Sequence, residues 1–382
     1  MGSQNFDHIV IGAGIQGSFT AYHLAKNKQK TLLLEQFILP HSRGSSHGQS
    51  RIIREAYHED YYTCMIPECY RLWAEVEAEA NINIFRKTGL LVIGAEEDRD
   101  FQAIKRVLQQ ENMTREQFAE RFSSVQLPVG KSVVDDENAG VLFADRGLKA
   151  VQALFQRFGG VIHDGEKVME IIPGSTITLT TKNGKYQARS VVITAGPWAQ
   201  SLLTSIGIEL PLQTLRINVC YWKEKIPGTY GIEKNFPCFI DLRALGNKDD
   251  VYGLPSNEYP GLMKICLHSG TPSQPDERDK NPSDEDIKMV SDFVSKYFPG
   301  LVPVPAVVEH CMYTVTPDKD FILDHHSTHS NIVIGAGFSG HGFKFAPVIG
   351  KILSELSLTS QPSYDISSFK ISRFQSFVKS TP

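Results

Sequence analysis

The sequence predicts an α/β fold, and three observations carry that reading. A short apolar strand at residues 8–11 runs into Gly12-Ala13-Gly14-Ile15-Gln16-Gly17 and then into an apolar-periodic helix that reaches about Lys26. Near the other end, Ile332-Val333-Ile334 enters a second glycine-rich turn, residues 335–342, and a helix from Phe343 onward. Between them, residues 223–303 are rich in proline, glycine and charge and interrupt the strand and helix rhythm.

The first turn explains itself residue by residue. Gly12 allows a sharp turn, Gly14 lets the backbone approach a pyrophosphate, and Gly17 permits close helix packing, so the helix N-terminus can hold an anion. A second apolar strand, residues 31–34, ends in Glu35, near the spacing of roughly 20 residues expected of a ribose-binding acid. An acid there favours a free ribose hydroxyl, hence FAD or NAD over NADP. The unit is Rossmann-like.

Further along, helical patterns occupy residues 62–77, 98–110 and 148–158, and residues 89–93 and 176–180 look extended. Asn183-Gly184 reads as a hairpin turn, since both central positions accept positive φ. The hairpin leads into Val191-Val192-Ile193-Thr194-Ala195, a strand that breaks at Gly196-Pro197-Trp198 and restarts as a helix near the nucleotide. Residues 272–284 read as an exposed loop before a helix over 285–298. The last helix shows an apolar face of Ile349, Ile352, Leu353 and Leu356.

Two glycine-rich turns at opposite ends of one chain suggest a long cofactor, one helix N-terminus for the pyrophosphate and another for the electron-accepting ring. Flavin suits this better than NAD, because negative charge develops at the pyrimidine end of a reduced isoalloxazine and a helix dipole stabilises it. The expected division is a discontinuous, Rossmann-like FAD-binding domain over residues 1–88, 140–212 and 318–382. Residues 89–139 and 213–317 form an α+β substrate and catalytic domain built on a mixed sheet.

Composition removes other classes. The 382 residues carry 39 Lys and Arg against 43 Asp and Glu, a net charge of −4, so no basic field awaits nucleic acid. Apolar runs fall short of the roughly 20 residues a membrane span needs, so a soluble protein without a membrane partner is expected. The start, Met1-Gly2-Ser3-Gln4, enters a strand without a leader, which reads as a protein that folds where it is made. Cys64, Cys69, Cys220, Cys238, Cys266 and Cys311 form no C-x-x-C pair and no His spacing of a metal site, so no metal is expected and most read as small buried hydrophobes. The sequon Asn112-Met113-Thr114 reads as chance. In the segment from Ser45 to Tyr57, Arg51 and Arg54 flank two isoleucines; one arginine could clamp a carboxylate bidentately while the other meets the cofactor.

These residues resemble the monomeric sarcosine oxidase family of flavin amine oxidases, and above all its peroxisomal sarcosine and L-pipecolate oxidases of animals. The resemblance runs nearly end to end. It rests on the Gly12 to Gly17 motif, Ser46-His47-Gly48 with Arg51-Ile52-Ile53-Arg54, Thr194-Ala195-Gly196-Pro197-Trp198 and Gly261-Leu262-Met263-Lys264. It rests also on Cys311-Met312-Tyr313-Thr314-Val315-Thr316-Pro317-Asp318 and on Gly337-Phe338-Ser339-Gly340-His341-Gly342-Phe343-Lys344.

The resemblance implies one FAD, joined covalently through the sulfur of Cys311 to the flavin 8α carbon. Gly12, Gly14, Gly17 and Glu35 would bind it together with Gly337, Gly340 and Gly342, with His47 and Arg51 near the ring. Arg54 and Lys344 match the pair that binds a substrate carboxylate, Tyr313 and His268 line the same pocket, Tyr57 lies at its entrance, and Lys264 stands above the flavin and activates oxygen. The implied reaction oxidises a small secondary amino acid, sarcosine, L-pipecolate or L-proline. Hydride passes to flavin N5, and O₂ then yields H₂O₂.

The stretch from Tyr252 to Lys264 leans toward a cyclic amino acid. The alternative is a flavin amine dehydrogenase that passes electrons to a protein or quinone. The resemblance also implies a monomer in peroxisomes, although the chain ends Ser380-Thr381-Pro382 rather than in a Ser-Lys-Leu-like signal, which leaves the cytoplasm as the other location.

Overall fold

Parallel strands at the chain start bury both of their faces, which is why Ile9, Val10, Ile11 and Leu32, Leu33, Leu34 form unbroken apolar runs. In the computed structural model, which describes residues 4–245, 249–280 and 283–374, these runs are β1 (Gln4–Ile11) and β2 (Thr31–Leu34), joined through α1 (Ile15–Lys26). The chain ends read above, at Met1 to Ser3 and Ser380 to Pro382, lie outside the described residues, as do Asn281 and Pro282 of the anticipated loop.

Eight strands make the first sheet. Its path runs Ile322–His325, Ile332–Ala336, Lys185–Ile193, β1, β2 and Val161–His163, with the strands Ile177–Thr181 and Val168–Ile172 added beside Lys185–Ile193. β1 pairs in parallel with both β2 and Lys185–Ile193, and Lys185–Ile193 pairs in parallel with Ile332–Ala336. On one face, α1 packs against the helices Ala346–Ser357 and Ala144–Arg157 through Phe19, Leu24, Ile349, Leu353 and Val151. The other face buries Leu32, Leu179, Val191, Leu203 and Ile334.

The second sheet is mixed and also has eight strands. It runs Thr271–Pro272, Gln213–Glu224, Leu262–Leu267, Asp249–Tyr259, Cys238–Leu245, Leu90–Ala95 and Lys131–Asp136, with Leu301–Val315 on the other side of Gln213–Glu224. Only the contact of Cys238–Leu245 with Leu90–Ala95 is parallel among its described pairings. The helix Glu285–Tyr297 covers this sheet through Val290, Phe293 and Val294, over Trp222, Tyr230 and Phe239. A small antiparallel sheet, β3 (Ser50–Ile53), Gly140–Phe143 and Phe85–Lys87, completes the strand structure.

Local expectations hold with some corrections. The helices anticipated at 62–77, 98–110 and 148–158 are Asp60–Ala80, Arg99–Leu108 and Ala144–Arg157. The hairpin at Asn183-Gly184 forms, but neither residue takes positive φ; instead the Thr181 hydroxyl accepts the backbone N–H groups of Asn183 and Gly184 and closes the turn. Residues 272–284 are not simply an exposed loop. Thr271–Pro272 pairs with Gln213–Glu224, and Arg278 is buried because its guanidinium donates to the carbonyls of Ser42 and Arg43. The last helix starts at Ala346, after a tight turn over Phe343–Phe345. A helix at Arg115–Arg121 escaped the sequence reading, although Thr114 and Gln117 form a capping box at its start. Among the described residues, no helix is long and apolar enough to cross a membrane.

Candidate active site

The glycine turn after β1 is held by steric necessity. Gly12 sits at φ +100°, and a Cβ on Gly17 would lie 1.9 Å from the Gly12 carbonyl oxygen, so α1 starts as close to the strand end as two glycines allow. Ser46 accepts the backbone N–H of Ile15 at 3.0 Å, and the first turn of α1 carries no acidic residue. At the end of β2, the buried Glu35 accepts the backbone N–H groups of Ala13 at 2.9 Å and Phe37 at 3.0 Å, which fixes its carboxylate beside the turn.

A groove of about 1810 Å³ opens along these elements. Gly12, Gly14 and Glu35 lie at one part of it, and His47, Arg51, Tyr313, Gly340 and Gly342 at another. Gly17 and Gly337 are not on its wall: Gly17 packs against Gly12, and Gly337, at φ +65°, leaves no room for a Cβ beside the Thr316 methyl. These two shape the turns rather than face the groove. The groove fits a dinucleotide: a helix N-terminus without acid for a pyrophosphate, a buried acid one strand over for a ribose, and Gln16 Oε1 left buried without a partner behind the second turn.

Beside the groove, and sharing His47, Arg51, Tyr313 and Gly340 with it, lies a smaller cavity of about 100 Å³. Here the structure gathers Arg54, Lys264, His268, Cys311, Tyr313 and Lys344, drawn from widely separated parts of the chain. The pairing of Gln213–Glu224 with Leu301–Val315 sets Cys311 opposite Ile217 and Tyr313 opposite Leu215, and the pairing with Leu262–Leu267 sets Lys264 opposite Tyr221. Alternation along Leu301–Val315 turns Glu309, Cys311 and Tyr313 to one face, and all three line the cavity.

Charge in this cavity is one-sided. Arg51, Arg54, Lys264 and Lys344 line it against the single carboxylate of Glu309. Arg51 is committed to backbone carbonyls, donating to Ser45 at 2.9 Å, His47 at 2.7 Å and Ser50 at 2.7 Å, so it orders the 45–50 segment. Arg54 donates from Nη1 to the Ala56 carbonyl at 2.6 Å and lies 4.3 Å over the Tyr57 ring. Lys344 donates to the Tyr57 hydroxyl at 3.0 Å and to the His341 carbonyl at 3.2 Å. Burial, with the nearby Arg54 and Arg51 adding repulsion, pushes the Lys344 ammonium well below its usual range.

Neutral polar groups fill the remaining wall. His268 sits 3.4 Å from the Tyr313 hydroxyl, and burial, reinforced by Lys344 and Arg54, lowers it to about 4. His47 lies 2.5 Å and 3.1 Å from the carbonyls of Gly44 and His310, and burial with Arg51 and Arg278 nearby lowers it to about 4 as well. Burial pushes the Tyr57 phenol up to about 12. Cys311, 7% exposed, holds a free thiol 3.7 Å from the Ser45 carbonyl oxygen.

Several groups of this site were not singled out by the sequence reading. Tyr252 and Glu309 line the small cavity, and Arg278 lines the groove. Glu309 shares the period-two pattern of Cys311 and Tyr313, which would have revealed it; Arg278 carries no such signal, because its role depends on a long-range contact with residues 42–43.

Residues 7–356 match the family model described as FAD dependent oxidoreductase. The chain is 53% identical to the peroxisomal sarcosine oxidase of Homo sapiens, with 98% of this chain and 97% of that protein covered. It is 35% identical to the monomeric sarcosine oxidase of Bacillus sp. (strain NS-129), with 97% of each covered. Among solved structures, NikD, an amino acid oxidase of nikkomycin biosynthesis, superposes with a TM-score of 0.85 at 22% identity, over 97% of this chain and 98% of that one.

Proposed function

The chain belongs to the FAD dependent oxidoreductase family, as a flavin-dependent amine oxidase akin to the sarcosine oxidases, and we propose that it oxidises small secondary amino acids: L-pipecolate, sarcosine or L-proline. The observation that carries this reading is the pair Arg54 and Lys344. Both cations converge on Tyr57, and among the described residues neither has a carboxylate within salt-bridge distance. A substrate carboxylate supplies the missing anion, and Arg54 keeps guanidinium donors beyond Nη1 for a bidentate contact.

The groove is the FAD site. Gly12, Gly14 and the start of α1 would hold its pyrophosphate, Glu35 a ribose, and His47, Arg51, Gly340 and Gly342 its ring, with Cys311 forming the covalent link. Bound there, FAD would accept a hydride from the carbon next to the amine nitrogen and return two electrons to O₂ as H₂O₂. On this reading both expected divisions of the chain build the substrate cavity, Arg54 and Lys344 coming from residues 1–88 and 318–382 and Lys264, His268, Cys311 and Tyr313 from 213–317.

The protein's own groups position and exclude. Arg54 and Lys344 orient the amino acid by its carboxylate. The cationic wall favours the neutral amine, the protonation state that can give up hydride, because an ammonium there would face like charge. His268 and Tyr313, both uncharged at neutral pH, provide polar walls without a competing charge, and Ile217, Val219, Ile240 and Leu254 keep the cavity dry. Lys264 presents a fixed cation that favours oxygen reduction. On the same reading the protein works as a monomer in peroxisomes, words that the names of the bacterial and mammalian relatives carry for those proteins.

The test is anaerobic mixing of the holoenzyme with each amino acid and with its methyl ester. Bleaching of the flavin absorbance by the acid and far slower bleaching by the ester support carboxylate recognition. Equal bleaching by both would remove it.

A further inference from the structure

Behind Lys264 stands a carboxylate that the proposed reaction does not use. Glu258 lies near the end of the strand Asp249–Tyr259 with its side chain 1% exposed. Its Oε1 accepts the hydroxyl of Ser50 and lies 3.4 Å from Lys264 Nζ, while Oε2 has no hydrogen-bond partner. Lys264 Nζ is also 3.4 Å from the Ser50 oxygen, and its side chain is 6% exposed. Lys264 and Ser50 line the small cavity and Glu258 does not, so the carboxylate holds two wall groups from off the wall.

A buried carboxylate with one oxygen unsatisfied is costly, and so is a buried ammonium. Each is tolerated here by the other. At 3.4 Å the contact is an ion pair rather than a short charge-assisted hydrogen bond. We propose that Glu258 is a positioning residue that holds the Lys264 ammonium in an ion pair and aims it into the small cavity, so that a fixed cation faces the redox site throughout turnover. This rests on the oxidase reading of that cavity.

The surroundings leave Glu258 as the one carboxylate within salt-bridge distance of Lys264 among the described residues. Tyr221, from the strand Gln213–Glu224, places its ring 5.7 Å from Nζ and donates its hydroxyl to Glu309 of Leu301–Val315. Tyr259 donates to the other oxygen of Glu309. Cys266 on the same strand and Cys238 on Cys238–Leu245 face the pair, and burial raises both thiols, Cys238 to about 12, so both stay neutral. Arg51, Arg54 and Lys344, on the same cavity wall, repel a charged Lys264. Remove the charge of Glu258, and desolvation and these cations together favour the uncharged amine.

Two measurements on the holoenzyme test this with E258Q, K264M and the double variant. In stopped-flow reoxidation of reduced enzyme by O₂, E258Q retains most of the wild-type rate at the acid end of its stable range and then loses roughly tenfold per pH unit through a titration the wild type lacks. K264M is slow and flat with pH, and the double variant matches it. In thermal unfolding, the drop in melting temperature caused by E258Q shrinks when Lys264 is already Met, because no unpaired charge remains. A uniform slowing of E258Q at every pH, or additive melting shifts, overturns the proposal. If K264M leaves oxygen reactivity unchanged, it is the oxidase reading that fails, and the melting cycle alone then decides the pairing.

Discussion

Arg54 and Lys344 meet on one tyrosine: the guanidinium lies 4.3 Å over the Tyr57 ring and the ammonium 3.0 Å from its hydroxyl oxygen. Two cations held this close by a neutral ring form a receptor for an anion. A hydrogen bond to a charged group is worth about 1.5–3 kcal/mol. Lys344→Met and Arg54→Met therefore each lower kcat/KM for the amino acid by about 10- to 150-fold. The loss falls mainly on KM, and the double variant loses less than the product of the two, because both cations rest on Tyr57. Steady-state kinetics check this; a change of less than twofold in both variants would sink the assignment.

Affinity for a simple carboxylate should fall as pH rises. Burial, with Arg54 and Arg51 nearby, lowers Lys344 in the free protein, whereas a bound carboxylate favours its charged form. The complex therefore binds a proton that the free protein lacks, in the window between the lowered value and the raised one. Above the lowered value the dissociation constant of a short aliphatic carboxylic acid, which has no amine to titrate, grows by up to about tenfold per pH unit. Lys344→Met loses that dependence. Titration followed by flavin absorbance reads it, and a pH-independent constant in the unaltered protein would contradict it.

Covalent attachment makes a visible prediction. Cys311 is the one cysteine on the wall of the small cavity among the described residues, and it has no disulfide partner. Acid-precipitated protein stays yellow, and the Cys311→Ala pellet is colourless. A colourless pellet from the unaltered protein would end the covalent reading.

Gly17 should tolerate no side chain. An added Cβ would lie 1.9 Å from the Gly12 carbonyl oxygen, a backbone atom that cannot move without opening the turn. Gly17→Ala costs about 1–3 kcal/mol or more by overpacking and loosens the start of α1, where the proposed cofactor site would hold the pyrophosphate. The expected result is a lower melting temperature together with a lower flavin content per chain. Normal flavin content would show that the turn is not part of the cofactor site.

Much of this was legible in the sequence because it is local. The glycine spacing at Gly12, Gly14 and Gly17, the strand ending at Glu35 and the face of Ile349, Ile352, Leu353 and Leu356 are short-range patterns, and each forms as read. Resemblance supplied what locality could not: Lys264, Cys311 and Lys344 come from separate strands and turns, and no spacing between them predicts that they share a cavity. Two kinds of feature stayed hidden. The Asn183-Gly184 turn is closed by the Thr181 hydroxyl, a side-chain option that competes with positive φ. Arg278 and Glu258 carry no periodic signal, and only long-range contacts, to Ser42 and to Ser50, reveal that they are buried and partnered.

Oxygen uptake by the purified protein, in air and without added acceptor, separates an oxidase from a dehydrogenase, with L-pipecolate and sarcosine measured in parallel. At least one of them drives uptake, accompanied by one H₂O₂ per O₂ consumed. No uptake with either, while an artificial dye acceptor restores turnover, would contradict the oxidase reading and make the protein a dehydrogenase.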